Sequence, residues 1–102
     1  MKYTQFLLIK VMEECAEVTQ RASKAIQFGL TEIEPNQNLT NLERLNTEVK
    51  DLIIVLAELD TYTQSVGGVD CLPTEDEMDA KLKKIEKYLN YSKDIGEIKL
   101  DK

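Results

Sequence analysis

The sequence predicts an all-α protein, a helical bundle of three to four helices per chain that is completed by oligomerisation. Apolar residues recur at steps of three and four along three long stretches, and no glycine or proline interrupts any of them. The second and third stretches each begin with a capping box, Thr40-Asn41-Leu42-Glu43 and Thr74-Glu75-Asp76-Glu77. The 102 residues are of a size for one domain. We therefore expect a single helical domain over 1–102, with a polar C-terminal tail from about residue 92.

Composition restricts where the protein works. It is 42% hydrophobic and 31% charged, which is ordinary for a globular domain. No apolar run approaches the roughly 18 residues that a membrane span needs, and the first residues lack the basic leader and cleavage site of a secretory signal. We expect a cytoplasmic protein with no membrane partner.

Charge and missing residue types restrict the chemistry. A net charge of −6 argues against binding to duplex nucleic acid, which requires a basic face. The chain has no histidine, so Ser-His and Cys-His nucleophilic machinery is excluded and a zinc site is disfavoured. Gly67-Gly68 is the only glycine pair and forms neither a Walker loop nor a dinucleotide fingerprint. Any catalysis must rely on carboxylates and a metal ion.

The first helix is predicted over residues 3–28. Gly29 follows it, in the position where a glycine commonly ends a helix in the left-handed conformation. Glu14 is expected at the edge of its apolar stripe, and Glu17 further round the helix. The residues that form the predicted stripe are Leu8, Val11, Cys15, Val18, Ala22 and Ile26.

A long polar segment, Gly29–Leu39, separates the first two helices. It contains proline, asparagine and threonine and is predicted to be a loop. Connections of this length between helices are uncommon unless they bind something or cover a site. A substrate-covering loop and a plain surface connector both remain open at this point.

The second helix is predicted from Thr40 to about Val66, with Gly67 as its end. Glu48 falls inside its apolar stripe, where an unpartnered carboxylate would be costly to bury, so it needs a basic residue, a set of backbone amides or a metal as its partner. Asp51 lies at the edge of the stripe. The stripe itself consists of Leu45, Leu52, Val55, Leu56 and Leu59.

Apolar character extends beyond one face of the second helix. Ile53 and Ile54 lie outside the stripe, and a helix that is apolar over most of its circumference is most easily buried between subunits. We therefore expect a homodimer or homotetramer. The third helix begins at Thr74 and has a narrower stripe, formed by Met78, Leu82, Ile85 and Leu89.

Two acidic pairs stand on the first two helices, Glu14-x-x-Glu17 and Glu48-x-x-Asp51. Residues three apart project from one side of a helix, so the four carboxylates converge if the two helices pack side by side. Such a cluster of oxygen ligands favours a hard cation, Mg²⁺ with Mn²⁺ as a substitute.

The same two pairs resemble the ExxE…ExxD signature of the MazG-like, all-α nucleoside triphosphate pyrophosphohydrolases. The resemblance covers roughly residues 5–65, and the spacing of thirty residues between Glu17 and Glu48 is on the long side for that family. It implies Mg²⁺ bound by Glu14, Glu17, Glu48 and Asp51, and hydrolysis of an NTP or dNTP to the monophosphate and pyrophosphate. Glu14 or Glu17 would then be the general base.

Basic residues follow the first acidic pair on the same side of the helix. Arg21 and Lys24 lie one and two turns after Glu17, where they are candidates for binding substrate phosphates. Ordinary ion pairs with Glu17 and with solvent are the alternative. Two other functions stay open: a non-catalytic helical oligomer, an adaptor or regulator whose acids form salt bridges between subunits with Arg21, Lys24 and Arg44, and an enzyme that hydrolyses phosphoribosyl-ATP.

Overall fold

The computed structural model describes residues 1–98, and residues 99–102 lie outside that range. The described part contains three α-helices, one 3₁₀ turn and no strand, which confirms the all-α class. The helices are α1 (Tyr3–Phe28), α2 (Asn41–Tyr62) and α3 (Glu75–Asp94), and the 3₁₀ turn is Gln64–Val66. Helix α3 continues to Asp94, and the end of the predicted polar tail lies outside the described residues.

The helix ends follow the predicted signals with two differences. Gly29 has the positive φ expected after α1, +95°, but its ψ of 155° is extended and not left-handed helical. The second helix ends at Tyr62, four residues before the predicted Val66. The Thr63 hydroxyl donates to the Leu59 carbonyl at 2.7 Å, which is the acceptor that the Thr63 amide would use if the α-helix continued. The chain therefore tightens into the 3₁₀ turn before Gly67.

Helices α1 and α2 form an antiparallel hairpin. At one end, the rings of Tyr3 and Tyr62 lie 4.8 Å apart edge to face, and the Tyr3 hydroxyl donates to Glu58 Oε2 at 2.8 Å. At the other end, the Leu42 amide donates to the Leu30 carbonyl at 3.0 Å. The start of α1 therefore lies beside the end of α2, and positions along the two helices run in opposite directions.

The packed face of α2 is the predicted one. Leu59 is buried, and the other four predicted stripe residues are half-buried together with Glu48 and Asp51. The interpretation of the first helix was partly wrong, because Leu8, Cys15 and Ile26 are exposed. Apolar residues occur on two sides of α1, and periodicity alone does not tell which side meets α2. The side that is buried or half-buried includes Leu7, Val11, Glu14, Val18, Arg21, Ala22 and Ala25.

Contacts along the chain divide it into two compact units. Met1–Cys71 contains α1, α2 and the 3₁₀ turn, and the second unit begins at Leu72 and contains α3. The predicted capping box of α3 is present, since the Glu77 amide donates to the Thr74 hydroxyl at 3.2 Å. All the candidate site residues belong to the first unit.

Much apolar surface is uncovered. Among residues 1–98, the only buried apolar residues are Leu7 and Leu59, which are 4% and 5% exposed. Ile53 and Ile54, which were predicted to lie outside the packed stripe, are 49% and 65% exposed. Burial of this surface in an oligomer stays a prediction. No helix in the described part is both long enough and apolar enough to cross a membrane.

Candidate metal site

Three carboxylates meet between α1 and α2. Glu14 and Glu17 come from adjacent turns of α1, and Glu48 comes from the packed face of α2. Each offers one oxygen atom, and these three oxygen atoms all lie within 4.8 Å of one another. The helical spacing of Glu14 and Glu17 and the side-by-side packing of the helices together produce this convergence. We call these three residues the carboxylate cluster.

The carboxylate cluster is partly withdrawn from water. Glu14 and Glu48 are half-buried, whereas Glu17 is exposed. The Oε2 atom of Glu14 is buried and has no hydrogen-bond partner within residues 1–98. A buried carboxylate oxygen without a donor is costly. This oxygen atom is therefore suited to bind a cation.

Crowding and burial raise the pKa of two carboxyl groups of the carboxylate cluster. Burial raises the pKa of Glu14, and the nearby Glu17 carboxylate raises it further. The pKa of Glu48 is also raised, first by its hydrogen bond with the Glu17 side chain and then by burial and by the charge of Glu17. Both shifts have the sign expected when like charges share a confined space.

Asp51, the fourth predicted ligand, lies outside the group within 4.8 Å. It is half-buried, and its negative charge contributes to raising the pKa of both Glu14 and Glu48. Asp51 therefore lies beside the carboxylate cluster without joining it. Of the four acids predicted to converge, the structure brings three together.

Neighbouring charges surround the cluster on the α1 side. Glu13 is exposed and accepts a hydrogen bond from Lys10 Nζ at 2.9 Å. That bond raises the pKa of Lys10, and the charges of Glu14 and Glu17 raise it further. Lys10 is thus a cation on the turn before the cluster, paired with Glu13.

Arg21 and Lys24 lie beyond the cluster, toward the end of α1, and both are half-buried. Within the described part of the chain, neither forms an ion pair with Glu17. One guanidinium nitrogen of Arg21, NH1, is buried and has no hydrogen-bond partner there. The ammonium group of Lys24 lies 5.6 Å from the centre of the Phe28 ring. These cations are available to an anion.

Two contacts that the sequence did not reveal hold the loop between α1 and α2. Asn41 is only 2% exposed, and its Nδ2 atom donates to the Gly29 carbonyl at 2.8 Å and to Glu32 Oε1 at 2.9 Å. Arg44 donates to Glu34 Oε2 at 2.5 Å. One feature of the sequence could have indicated both contacts. Two glutamates of the loop, Glu32 and Glu34, shortly precede Asn41 and Arg44 in the first turns of α2.

The donor set of the cluster consists of oxygen atoms alone, with no histidine in the chain and with Cys15 exposed beside it in sequence. Hard divalent cations such as Mg²⁺ and Mn²⁺ prefer such ligands. Comparison of the chain with protein-family models, with curated proteins and with solved structures found no match. The chemistry must therefore be argued from the residues themselves.

Proposed function

We propose that the protein is a Mg²⁺-dependent nucleoside triphosphate pyrophosphohydrolase, which converts an NTP or dNTP to the monophosphate and pyrophosphate. The observation that supports this is the carboxylate cluster: three oxygen ligands from two helices within 4.8 Å of one another, one of them a buried oxygen without a donor. Glu14, Glu17 and Glu48 would hold the cation, with Asp51 beside them. The resemblance of the two acidic pairs to MazG-like enzymes points to the same reaction.

The residues of the site can be assigned separate roles in hydrolysis. A bound divalent cation would neutralise phosphate charge and favour ionisation of the attacking water. Glu14 and Glu17 are the candidates for the general base. Arg21 and Lys24, which lack a partner carboxylate on α1, would hold substrate phosphates and align the α-phosphorus for attack.

The proposal includes a cytoplasmic homodimer or homotetramer. Ile54 and Val55 line an open groove along α2 together with Leu7 of α1, and Ile54 is 65% exposed. A second copy of the chain would remove this apolar surface from water. The same surface supports the alternative of a non-catalytic oligomer. Within the chain, Arg44 pairs with Glu34 of the loop.

A panel of nucleotides tests the proposal. We expect pyrophosphate release from at least one NTP or dNTP in Mg²⁺ or Mn²⁺, complete loss of release in EDTA, and no requirement for zinc. Phosphoribosyl-ATP belongs in the panel, because its selective hydrolysis would indicate the related activity. Full turnover in EDTA would exclude the carboxylate cluster as a metal site, and no turnover of any substrate would favour the non-catalytic oligomer.

A further inference from the structure

A group of cations lies one helical turn from the carboxylate cluster. Arg21 follows Glu17 by four residues on α1, and Arg44 precedes Glu48 by four residues on α2. Because the helices are antiparallel, both displacements point to the same end of the hairpin, where the loop between the helices begins and ends. One turn corresponds to about 5.4 Å along a helix. The cations therefore lie next to the candidate metal site, on its loop side.

Glu34 of the loop reaches into this group. Its Oε2 atom accepts a hydrogen bond from Arg44 NH1 at 2.5 Å. That bond is the largest cause that lowers the pKa of Glu34, and the positive charges of Lys24 and Arg21 lower it further. Three cations thus act on one carboxylate. Glu34 therefore pairs with Arg44 of α2, and the charges of Arg21 and Lys24 of α1 also act on it.

The cationic site is not saturated by Glu34. Arg21 NH1 is buried and makes no hydrogen bond within residues 1–98, although a buried guanidinium donor strongly favours an acceptor. The side chain of Glu34 is 42% exposed and that of Arg44 is 21% exposed, so the site is accessible from solvent. A group with more oxygen atoms than one carboxylate would satisfy the site better. A phosphate has three or more acceptor oxygens and suits the fork of an arginine.

We propose that Arg21, Lys24 and Arg44 form a phosphate subsite in which the Glu34 carboxylate occupies the place of a substrate phosphate, so that a bound polyphosphate displaces Glu34 and releases the centre of the loop. This inference rests on the proposed function for its substrate class. The ends of the loop are held separately, by Asn41 at the Gly29 carbonyl and at Glu32. Displacement of Glu34 therefore opens the middle of the loop while its attachment to α2 stays in place.

Binding of tripolyphosphate to metal-free protein tests the proposal by isothermal titration calorimetry. Glu34→Gln removes the competing charge, so we expect about tenfold tighter binding than in wild type. Arg21→Gln removes an unpaired donor, so we expect about tenfold weaker binding. Matched controls on α3, Glu86→Gln and Lys83→Gln, change net charge equally and should leave affinity within about twofold.

Nuclear magnetic resonance of the wild-type protein supplies a second measurement, in case Glu34→Gln loosens the loop. Tripolyphosphate should shift the backbone amide resonances of residues 32–34, 36 and 37, and a response confined to other residues would overturn the proposal. Unchanged affinity in Glu34→Gln, with a lower melting temperature, would show that the Glu34 to Arg44 contact only fastens the loop. Neither measurement uses metal or turnover, so their outcome is separate from that of the nucleotide hydrolysis assay.

Discussion

Replacing Glu48 by glutamine removes one negative charge from the carboxylate cluster at nearly constant volume. Three carboxylates make three repulsive pairs, and the variant keeps one of them, between Glu14 and Glu17. The folded-state pKa values of Glu14 and Glu48 are raised above the ordinary value of 4.5. Groups shifted in this direction contribute stability that is full below the unfolded pKa and is lost as pH rises through the folded pKa. Metal-free wild type should therefore melt higher at pH 5.5 than at pH 7.5.

The variant should lose part of that pH dependence and should melt higher than wild type at pH 7.5 without metal. Added metal reverses the order. At a Mg²⁺ concentration of 100 times the dissociation constant, wild type gains about 2.7 kcal/mol of unfolding free energy, which is roughly 11–22 °C for a domain of this size. If loss of one ligand weakens binding about a hundredfold, the variant gains only about 0.4 kcal/mol, roughly 2–3 °C, at the same concentration.

Differential scanning calorimetry at fixed protein concentration, with and without Mg²⁺, measures both effects. Glu75→Gln is the control, because Glu75 is exposed in the first turn of α3 and its loss should change stability by only a few tenths of a kcal/mol. The reasoning is refuted if Glu48→Gln melts several degrees lower than wild type without metal and keeps the full metal response. Glu48 would then be a structural residue.

Two further predictions concern the loop and the assembly. Asn41→Ala leaves the Gly29 carbonyl and Glu32 without their donor and should lower the free energy of unfolding, measured in urea, by about 1–3 kcal/mol. The control Asn38→Ala, at an exposed loop position, should change it little. Equal effects of the two substitutions would contradict the role of Asn41. Ile54→Asp should dissociate the oligomer in light scattering at micromolar concentration, whereas Val66→Asp, at an exposed position outside α2, should not. A monomeric wild type would remove that argument.

The sequence predicted most of what depends on one helix at a time. The capping boxes at Thr40 and Thr74 are both present, because they are made by residues three apart within one turn. The stripe predicted on α2 is the packed face, since Leu59 is buried and its other members are half-buried. Glu48 was singled out because it interrupts that stripe, and the structure gives it carboxylates of α1 as neighbours.

What the sequence could not predict depends on how two helices meet. The side of α1 that faces α2 was only partly predicted, because Leu8 and Ile26 fit a helical period as well as Leu7 does. Asp51 was expected among the converging acids, but it does not belong to the group of oxygen atoms that lie within 4.8 Å of one another. The partners of Asn41 and Arg44 lie on the loop. A periodic pattern describes a single helix, so it does not predict which helix residue a loop carboxylate contacts.

Direct measurement of Mn²⁺ binding tests the central claim that the carboxylate cluster holds a divalent cation. Electron paramagnetic resonance counts free Mn²⁺ as it is titrated into wild type and into Glu17→Gln, with Glu86→Gln as an exposed control on α3. We expect saturable binding to wild type that Mg²⁺ displaces, affinity reduced by about tenfold or more in Glu17→Gln, and wild-type affinity in the control. Equal binding to all three proteins, or no saturable binding to wild type, would contradict the account.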